Sequence, residues 1–488
     1  MTDIMQSGYS RVFLIKNRAA PNHSPMYQGL WKAGALSWAQ GDVTNIYVPD
    51  PDNYNAFKVA GDIAGDIGRP EMTIMGRYSL DVSELLRLAP KGCKHDFQIH
   101  MGKCENPQDF NHGWSKILIL EGGKITNYST EDLGALEPSQ RAVVNEEVPI
   151  SADDAYEVKA LGFASKARAE VTEEVVDTIF CRGNICAECD ADCSTILALM
   201  SPASYAKARY IFSTDGGLTW TDGFVSSAAA NNVLDAFSCV GDYLVVLNRT
   251  AVRIEYARLS DVTSGSPTWT SVSTGFVASG APLAIWSASP SFTWIVGLSG
   301  YIYLMEDPSS GVSVQDAGVA TPRDLHDVHG IDSLNVVAVG NDNSVVYTNN
   351  GGLTWTSVTG PNPSDNLNCV WMASENIWWV GDEVGNLWYT LDKGSTWTAK
   401  VFPGSGSGSV EELVFVKPSV GYMIHNVGGA GKLLRTIDGG YSWYVLPEGS
   451  GVIPTNTRLN SLAVCSNPNI VYAGGRSGVS SGILIAGA

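Results

Sequence analysis

Basic residues are scarce in this chain. Lysine and arginine together number 31 among 488 residues, against 50 aspartates and glutamates, which leaves a formal net charge of −19. Because a dense basic patch is needed to neutralise the phosphates of nucleic acid, this composition argues against a protein that wraps DNA or RNA. An acidic wall could still face DNA without binding it tightly.

Long hydrophobic runs are absent as well. No apolar segment approaches the ~18 residues that cross a bilayer, and the run at residues 12–15 is too short for the apolar core of a signal peptide. We therefore expect no membrane contact and no export by the usual route. Apolar residues make up 44% of the chain and charged residues 17%, which excludes disorder of the whole chain.

Glycine and tryptophan are plentiful by contrast. The chain has 51 glycines and 14 tryptophans, a combination typical of short strands joined by tight turns. One pattern uses both: a hydroxyl residue, Asp or Asn two positions later, glycine, and a hydroxyl residue before Trp. Its four clear copies are STDGGLTW (213–220), TNNGGLTW (348–355), TLDKGSTW (390–397) and TIDGGYSW (436–443).

The copies define a repeat of 41–49 residues. Two degenerate copies, ending at Trp269 and Val314, fill the gap between Trp220 and Trp355. Each period holds four short apolar or alternating runs separated by Gly, Asn and Asp, which is typical of one blade of a β-propeller. Residues 459–485 supply three more strands and residues 175–181 are expected to supply the fourth. We predict seven blades, with six or eight as alternatives.

The repeated motif resembles the Asp-box of BNR repeats, found in sialidase-like propellers, photosystem assembly factors and sorting receptors. Physical reasoning gives it a structural role, because the carboxylate can accept hydrogen bonds from the turn, glycine supplies a positive φ, and Trp packs into the blade. We therefore interpret the following residues as scaffold: Asp215, Trp220, Asn350, Trp355, Asp392, Trp397, Asp438 and Trp443.

Residues 1–170 lack the repeat. Alternating segments at 72–78, 96–102, 115–129 and 155–163 predict strands, and a capped apolar stripe predicts a helix at about 82–90. This part resembles tail tube or related structural proteins of long-tailed bacteriophages, which implies a β-sandwich or barrel-like domain that assembles into stacked hexameric rings. We predict an all-β protein with one short helix, divided into a tail-tube-like domain (1–170) and a seven-bladed propeller (171–488).

The nine cysteines fall into three groups. Four lie within thirteen residues and fit two disulfides, one zinc site or free thiols: Cys181, Cys186, Cys189 and Cys193. Cys93 and Cys104 flank a predicted hairpin and could pair. The last three lie in or beside apolar strands and are predicted to be buried in the core: Cys239, Cys369 and Cys465.

Few residues suggest catalysis, and we expect no catalytic residue and no cofactor. His326 and His329, next to Asp324 and Asp327, would point to opposite faces of a strand, which disfavours a metal site. The Arg-Ile-Pro motif that the sialidase resemblance would imply is absent. Three arginines are interpreted as surface charge: Arg249, Arg253 and Arg258. The adjacent pair Glu411 and Glu412 should diverge, unlike the paired carboxylates of a glycosidase.

The leading hypothesis is a virion structural protein, with residues 1–170 as the ring-forming tail tube unit and the propeller as an outward decoration. Its expected partners are copies of itself, other virion proteins, genomic DNA passing without tight binding, and surface glycans of the host. It would be made in the host cytoplasm and reside in the phage tail. The alternatives are a capsid or tail decoration protein, a cellular propeller assembly factor, and a sialidase-like glycoside hydrolase.

Overall fold

The computed structural model describes the following residues of the chain: 10–15, 25–29, 32–37, 47–50, 53–59, 71–77, 94–101, 116–125, 129–130, 145–159, 168–171, 174–180, 194–201, 209–225, 227–228, 232–446, 457–465, 467–477 and 481–487. The chain divides into two compact units, Met1–Ala160 and Leu161–Ala488. Regular structure is almost entirely β, which confirms the predicted fold class. The helix predicted at 82–90 lies outside the described residues.

The described residues of the first unit form eleven strands: β1 (Ser10–Ile15), β2 (Pro25–Gly29), β3 (Lys32–Ser37), β4 (Tyr47–Asp50), β5 (Asn53–Val59), β6 (Glu71–Arg77), β7 (His95–Met101), β8 (Lys116–Ile125), β9 (Ser129–Thr130), β10 (Asn145–Ser151) and β11 (Asp154–Lys159). Nine of them form one antiparallel network in the order β2-β1-β7-β8-β10-β6-β3, with β11 paired to β8 and β9 to β10, while β4 and β5 form a separate hairpin. The four segments predicted as strands coincide with β6, β7, β8 and β11.

Strand β8 connects the two halves of this network. It pairs with β7 and β11 over most of its length, and with β10 only at Lys124 and Ile125. The change of partner follows Gly122, whose φ of +61° is a left-handed conformation that favours glycine. The neighbouring apolar residues are fully buried: Phe97, Ile117, Ile119, Leu120 and Val158.

In the part of the second unit that the structure describes, the strands form seven four-stranded antiparallel sheets, each one blade. Blade 1 comprises β13 (Glu174–Phe180), β14 (Ile196–Ser201), β15 (Arg209–Ser213) and β16 (Thr221–Phe224). Blade 2 comprises β17 (Leu234–Val240), β18 (Tyr243–Asn248), β19 (Arg253–Arg258) and β20 (Thr270–Val272), with helix α1 (Leu259–Thr263) before its last strand. Blade 3 comprises β21 (Pro282–Ser289), β22 (Phe292–Gly297), β23 (Tyr301–Asp307) and β24 (Gly311–Ala317).

The remaining blades repeat this arrangement. Blade 4 comprises β25 (Leu325–Gly330), β26 (Val336–Gly340), β27 (Ser344–Thr348) and β28 (Thr356–Thr359). Blade 5 comprises β29 (Leu367–Met372), β30 (Trp378–Asp382), β31 (Leu387–Thr390) and β32 (Thr398–Lys400). Blade 6 comprises β33 (Ser409–Phe415), β34 (Gly421–Val427), β35 (Ala430–Thr436) and β36 (Tyr444–Val445). Short 3-10 turns at Leu298–Gly300 and Asn341–Asn343 join the second and third strands of blades 3 and 4.

Blade 7 closes the ring with strands from both ends of the unit. Its strands are β37 (Thr457–Val464), β38 (Val471–Ser477), β39 (Ser481–Gly487) and β12 (Arg168–Val171). The closing strand is therefore β12, which pairs with β39 from Arg168↔Ile485 to Val171↔Gly482. The expectation that residues 175–181 close the ring is wrong, because β13 is the innermost strand of blade 1. The propeller consequently begins upstream of the predicted boundary at residue 170.

The core lies between neighbouring blades. Strand β14 shows the pattern, since Leu197 and Leu199 pack in a cluster with blade 2 while Ile196 and Ala198 pack in one with blade 7. Second strands are covered on both faces, so β26 and β30 are buried at every position. This double coverage explains why their sequences are continuous apolar runs rather than alternating ones. Within the described residues, no helix has the length and apolarity to cross a membrane.

Candidate functional site

The antiparallel order of each blade creates two faces of different composition. At one face, which we call the box face, lie the hairpins between first and second strands and the turns between third and fourth strands. The two kinds of turn are joined there, because the amides of Gly216, Gly351 and Gly439 donate to carbonyls in the hairpins. At the other face, the connector face, lie the second-to-third-strand hairpins and the connectors between blades.

The Asp-box turns of the box face are held by one repeated set of hydrogen bonds. In blade 1 the Asp215 carboxylate accepts from the Ser213 hydroxyl at 2.7 Å, the Thr219 amide at 2.9 Å and the Thr219 hydroxyl at 2.6 Å. Asp392 and Asp438 accept the corresponding bonds in blades 5 and 6. In blade 4 Asn350 differs only in that its amide nitrogen donates to the Thr354 hydroxyl.

Burial sets the ionisation of these carboxylates. Hydrogen bonds from Thr219 lower the pKa of Asp215 to about 2, and the amide and hydroxyl of Thr396 lower the pKa of Asp392. Asp438 makes the same contacts but is buried, and burial raises its pKa above the ordinary value. The carboxylates are thus engaged by hydrogen bonds within their own turns.

The tryptophans of the motif pack against the preceding blade. Trp355 of blade 4 meets Trp294 of blade 3 edge-on, with ring centroids 5.4 Å apart, and Trp443 of blade 6 meets Trp379 of blade 5 at 6.4 Å. Trp397 of blade 5 donates its indole N–H across to a carbonyl of blade 4, at 2.9 Å. The tryptophans were expected to pack into their blades, and they do so at the interface with the preceding blade, since Trp443 shares a core cluster with residues of both blade 6 and blade 5.

The other copies show how far the motif can vary. Trp220 packs in the cluster shared by blades 7 and 1, and its indole donates to the Gly217 carbonyl. In blade 2, helix α1 replaces the turn, yet Trp269 still packs on Tyr210 of blade 1 with centroids 5.8 Å apart. Val314 of blade 3 lies within β24 and is 40% exposed, so no bridging ring occupies that position.

Side chains on the innermost strands link blade 4 to blade 5. The Asp327 carboxylate accepts from the Val370 amide at 2.7 Å, and His329 Nδ1 accepts from the Met372 amide at 3.1 Å. His326 Nδ1 lies 3.2 Å from the Leu367 carbonyl. An innermost strand exposes an unpaired edge of N–H and C=O groups, and such groups need partners when buried. His326, Asp327 and His329 therefore provide partners for backbone groups of the neighbouring strand.

Side chains of the innermost strands also contact the backbone of the next blade in blades 5, 6 and 7. Asn368 donates to the Val410 carbonyl at 3.1 Å, and Glu412 accepts from the Leu462 amide at 2.5 Å. Its neighbour Glu411 forms an ion pair with Arg458 at 2.5 Å. The adjacent glutamates thus both contact blade 7.

Burial fixes the charge states along this edge. It lowers the pKa of His329 to about 3, so the ring is neutral and accepts at Nδ1. It raises the pKa of Asp327 to about 7, although amides of Val370 and Val328 oppose the shift. Among the described residues, no three His, Cys, Asp or Glu side chains are grouped so as to hold a metal ion.

The arginines of blade 2 belong partly to a buried network. Glu255 is fully buried and accepts from Arg253 at 2.7 Å, Asn248 at 2.8 Å, Ser227 at 2.6 Å and Ser271 at 2.5 Å. Arg253 is therefore a structural partner of a buried carboxylate, and the interpretation of it as surface charge is wrong. The sequence did contain an indication of this pair, because Arg253 and Glu255 are two residues apart and so lie on the same face of a strand.

The cysteines divide differently from expectation. Cys369 is free and buried, as predicted. Cys465 is buried, as predicted, and Cys239 is partly buried against a core cluster, but both are disulfide-bonded rather than free. Both lie where a first strand reaches the box face rather than in the middle of a sheet. The other cysteines fall outside the described residues: Cys93, Cys104, Cys181, Cys186, Cys189 and Cys193.

Exposed apolar side chains occur on the box face of blades 1 and 4. Leu218 and Leu353 follow the paired glycines of two Asp-boxes and are 69% and 84% exposed. In the hairpin bonded to the second of these boxes, Leu334 and Ile331 are 53% and 43% exposed. We call these four residues the box-face apolar group. In the sequence, Leu218 and Leu353 could have been noticed because the same position of the motif is occupied by Ser395 and by a tyrosine in the other two clear copies.

No protein-family model and no curated protein matches this sequence. Solved propellers resemble its structure: YCF48 bound to a D1 peptide is 14% identical with a TM-score of 0.49, covering 66% of this chain and 98% of that one. YCF48 from Cyanidioschyzon merolae is 15% identical with a TM-score of 0.49, covering 65% and 98%, and U3-55K is 12% identical with a TM-score of 0.48, covering 65% and 98%. The likeness concerns the fold alone, and it is the seven four-stranded sheets of the described residues that define a β-propeller.

Proposed function

We propose that this protein is a non-catalytic structural protein whose propeller docks a protein partner on the box face. The observation that carries the proposal is the blade 4 part of the box-face apolar group, where Leu334 and Leu353 lie exposed on two turns joined by a hydrogen bond, because adjoining exposed apolar side chains mark interaction sites. The turns beneath them are fixed by the Asp-box hydrogen bonds, so docking would require little reordering of the chain. The net charge of −19 favours a partner with a neutral or basic surface.

The carboxylates offer further support for a non-catalytic role. The four described carboxylates most suggestive of chemistry each have structural partners: Asp215 and Asp392 in their turns, Asp327 and Glu412 on neighbouring strands. A glycosidase needs two carboxyl groups free to flank a glycosidic bond. We therefore favour docking of a protein partner over glycoside hydrolysis as the function.

The experiment compares full-length variants on the two faces. Leu218→Ser with Leu353→Ser removes the most exposed part of the box-face apolar group, while Val319→Ser with Val401→Ser removes equally exposed side chains, 87% and 81%, from the connector face. Partners isolated from the native cells and identified by mass spectrometry should be lost with the first variant and kept with the second. Equal retention by both variants, or turnover in a glycoside panel, would overturn the proposal.

A more specific proposal is a phage tail tube protein, with copies of this chain as the partner and surface glycans as the ligand of the propeller. It is supported by the resemblance of residues 1–170 and by the division into two compact units, which would let a ring-forming module carry a propeller. Negative-stain microscopy of the full-length protein at high concentration should show rings or tubes. Monomeric particles throughout would contradict it and leave the docking proposal standing.

A further inference from the structure

Blade 4 differs from the other clear Asp-boxes at the acidic position of the motif. Blades 1, 5 and 6 have Asp215, Asp392 and Asp438 where blade 4 has Asn350, and the residue after it is Gly351. This is the one Asn-Gly pair in the sequence of 488 residues. Because glycine has no side chain, its amide nitrogen is less hindered than that of other residues and can reach the amide carbon of a preceding asparagine.

An Asn-Gly pair reacts without a catalyst. The nitrogen of Gly351 loses its proton and forms a bond to Cγ of Asn350, and the side-chain nitrogen leaves as ammonia, which gives a cyclic succinimide. Water then adds to one of the two ring carbonyls and the ring C–N bond breaks, leaving aspartate or isoaspartate. The net change consumes one water and releases one ammonia, so the reaction needs no oxidant and no second protein group.

The folded turn holds both reacting groups in hydrogen bonds. The Gly351 amide donates to the Leu334 carbonyl at 3.1 Å. The Asn350 side chain accepts from the Thr348 hydroxyl at 2.9 Å and from the Thr354 amide at 3.1 Å, and its Nδ2 donates to the Thr354 hydroxyl at 2.8 Å. A hydrogen-bonded amide gives up its proton to solvent only when its bond opens, and ring closure also requires the side chain to leave its three contacts.

The turn can open without unpacking the blade. It lies at the box face, where Asn350 is half-buried and Leu353 is 84% exposed, and surface turns open locally at a lower free energy than the strands beneath them. We propose that Asn350 is a site of spontaneous deamidation, that opening of the blade 4 Asp-box sets its rate, and that the aspartate formed is held in the same box.

The contacts of the box suit an aspartate. Asp392 of blade 5 accepts from the Thr390 hydroxyl at 2.8 Å, the Thr396 amide at 2.8 Å and the Thr396 hydroxyl at 2.7 Å. Asn350 makes the same three contacts in blade 4, with the donor reversed in the last of them. Deamidation adds a negative charge beside the blade 4 part of the box-face apolar group, so the modified and unmodified proteins present different box faces.

Peptide mapping measures the rate in the folded and in the unfolded chain. The full-length protein is incubated at mildly alkaline pH, with and without enough guanidinium chloride to unfold it, and the peptide containing Asn350 is followed by mass spectrometry. Deamidation of Asn350 should be at least about tenfold slower in the folded protein, because only the open fraction reacts. Equal rates, or an unreactive Asn350 in the unfolded chain, would overturn the proposal.

Paired threonine variants test whether the blade 4 box sets the rate. Thr354→Ala removes the hydroxyl that accepts from Asn350 Nδ2 and should speed deamidation of the folded protein about two- to tenfold. Thr354→Ser keeps the hydroxyl and should react as the wild type does. Thr219→Ala makes the same change in blade 1 and should leave the rate at Asn350 unchanged. An unchanged rate in Thr354→Ala, or an equal increase in both alanine variants, would contradict control by the local box.

Asn350→Asp tests whether the product fits the box. Its urea midpoint at pH 7 should stay near that of the wild type. Asn350→Ala should lower the midpoint, because the Thr348 hydroxyl and the Thr354 amide lose their acceptor. A loss in Asn350→Asp as large as that in Asn350→Ala would show that the box rejects the aspartate, against the proposal.

Discussion

The carboxylate of Asp327 in blade 4 accepts a 2.7 Å hydrogen bond from the backbone amide of Val370 in blade 5. The two residues are on the first strands of consecutive blades, so this bond holds neighbouring sheets in register at the centre of the ring. His329 with Met372, and Glu412 with Leu462, repeat the relationship. The innermost strands thus carry polar side chains because the next blade presents unpaired backbone groups.

Asp327→Ala should destabilise the propeller. At pH 5, below the raised pKa of about 7, the folded protein holds the carboxyl protonated, and its removal leaves the Val370 amide buried without a partner. We expect a loss of about 1–3 kcal/mol in the free energy of unfolding, measured by urea denaturation. Glu375→Ala removes an exposed partner of Lys393 and serves as the control, with a change under about 1 kcal/mol. Equal losses in both variants would contradict a special role for the inner strand.

The pH dependence of stability should change in His329→Asn. The pKa of His329 is lowered to about 3, so the unfolded state binds the proton more readily, and wild-type stability attributable to this residue is lost as the pH falls from about 6.5 towards 3. Asparagine cannot titrate, although its Oδ1 can still accept from Met372. As the pH rises from 4 to 6, the free energy of unfolding of the wild type should therefore increase relative to that of the variant by about 1.4 kcal/mol per pH unit.

The stability that Asp327 contributes changes with pH in the opposite direction. The effect of His329 is therefore measured as a difference between the wild type and His329→Asn. Its pKa is raised to about 7, so its contribution falls as the pH rises from about 4 to 7 and opposes that of His329 in the wild type. Both proteins keep Asp327, and the difference between their unfolding free energies isolates the histidine. A difference that stays constant with pH would show that His329 is not held neutral by burial.

The repeat could be predicted from the sequence because its contacts are local. Asp215 bonds Ser213 and Thr219, two and four residues away, so the pattern of residue types carries the geometry of the turn. The link from Asp327 to Val370 spans 43 residues and ends on a backbone amide, which has no residue-type signature. The box-face leucines were visible only as a variable position within the motif.

The closing strand shows a second limit. Residues 168–171 and 174–180 both form strands beside the start of the propeller, and the pattern of either is compatible with an outer strand. Which of the two strands completes blade 7 depends on which one lies beside β39 when the ring is closed. The local sequence pattern does not contain this information, and in the structure β12 is the strand that pairs with β39. The same reasoning applies to the Trp residues of the motif, whose spacing predicts packing but not which blade they contact.

Two glycines of the motif should tolerate alanine very differently. Gly440 has φ of +88°, and a Cβ there would lie 2.4 Å from Cζ2 of the buried Trp379. Gly216 has φ of +70° but nothing within 4 Å of the added atom. Gly440→Ala combines strained backbone with overpacking and should cost about 3 kcal/mol or more, whereas Gly216→Ala should cost about 1 kcal/mol from the backbone alone. Thermal and urea unfolding measure both, and equal costs would rule out the contact with Trp379.

Asp215→Asn should be tolerated, because blade 4 already uses this chemistry. Asn350 accepts from Thr348 and the Thr354 amide, and donates to the Thr354 hydroxyl at 2.8 Å. The hydroxyl of Thr219 can likewise turn from donor to acceptor when the carboxylate becomes an amide. The urea midpoint of Asp215→Asn at pH 7 should therefore stay near that of wild type, while Asp215→Ala should lower it, since the Ser213 hydroxyl and Thr219 amide lose their acceptor.

Acid titration separates charge from hydrogen bonding at the same position. The pKa of Asp215 is lowered to about 2, so the stabilisation it gives is complete above the unfolded value of about 4 and is lost as the pH falls towards 2. Asparagine does not titrate, so the midpoint of Asp215→Asn should fall less steeply than that of wild type between pH 4 and 2. Should Asn prove as damaging as Ala at neutral pH, the negative charge rather than the turn's hydrogen bonds would be what the Asp-box requires.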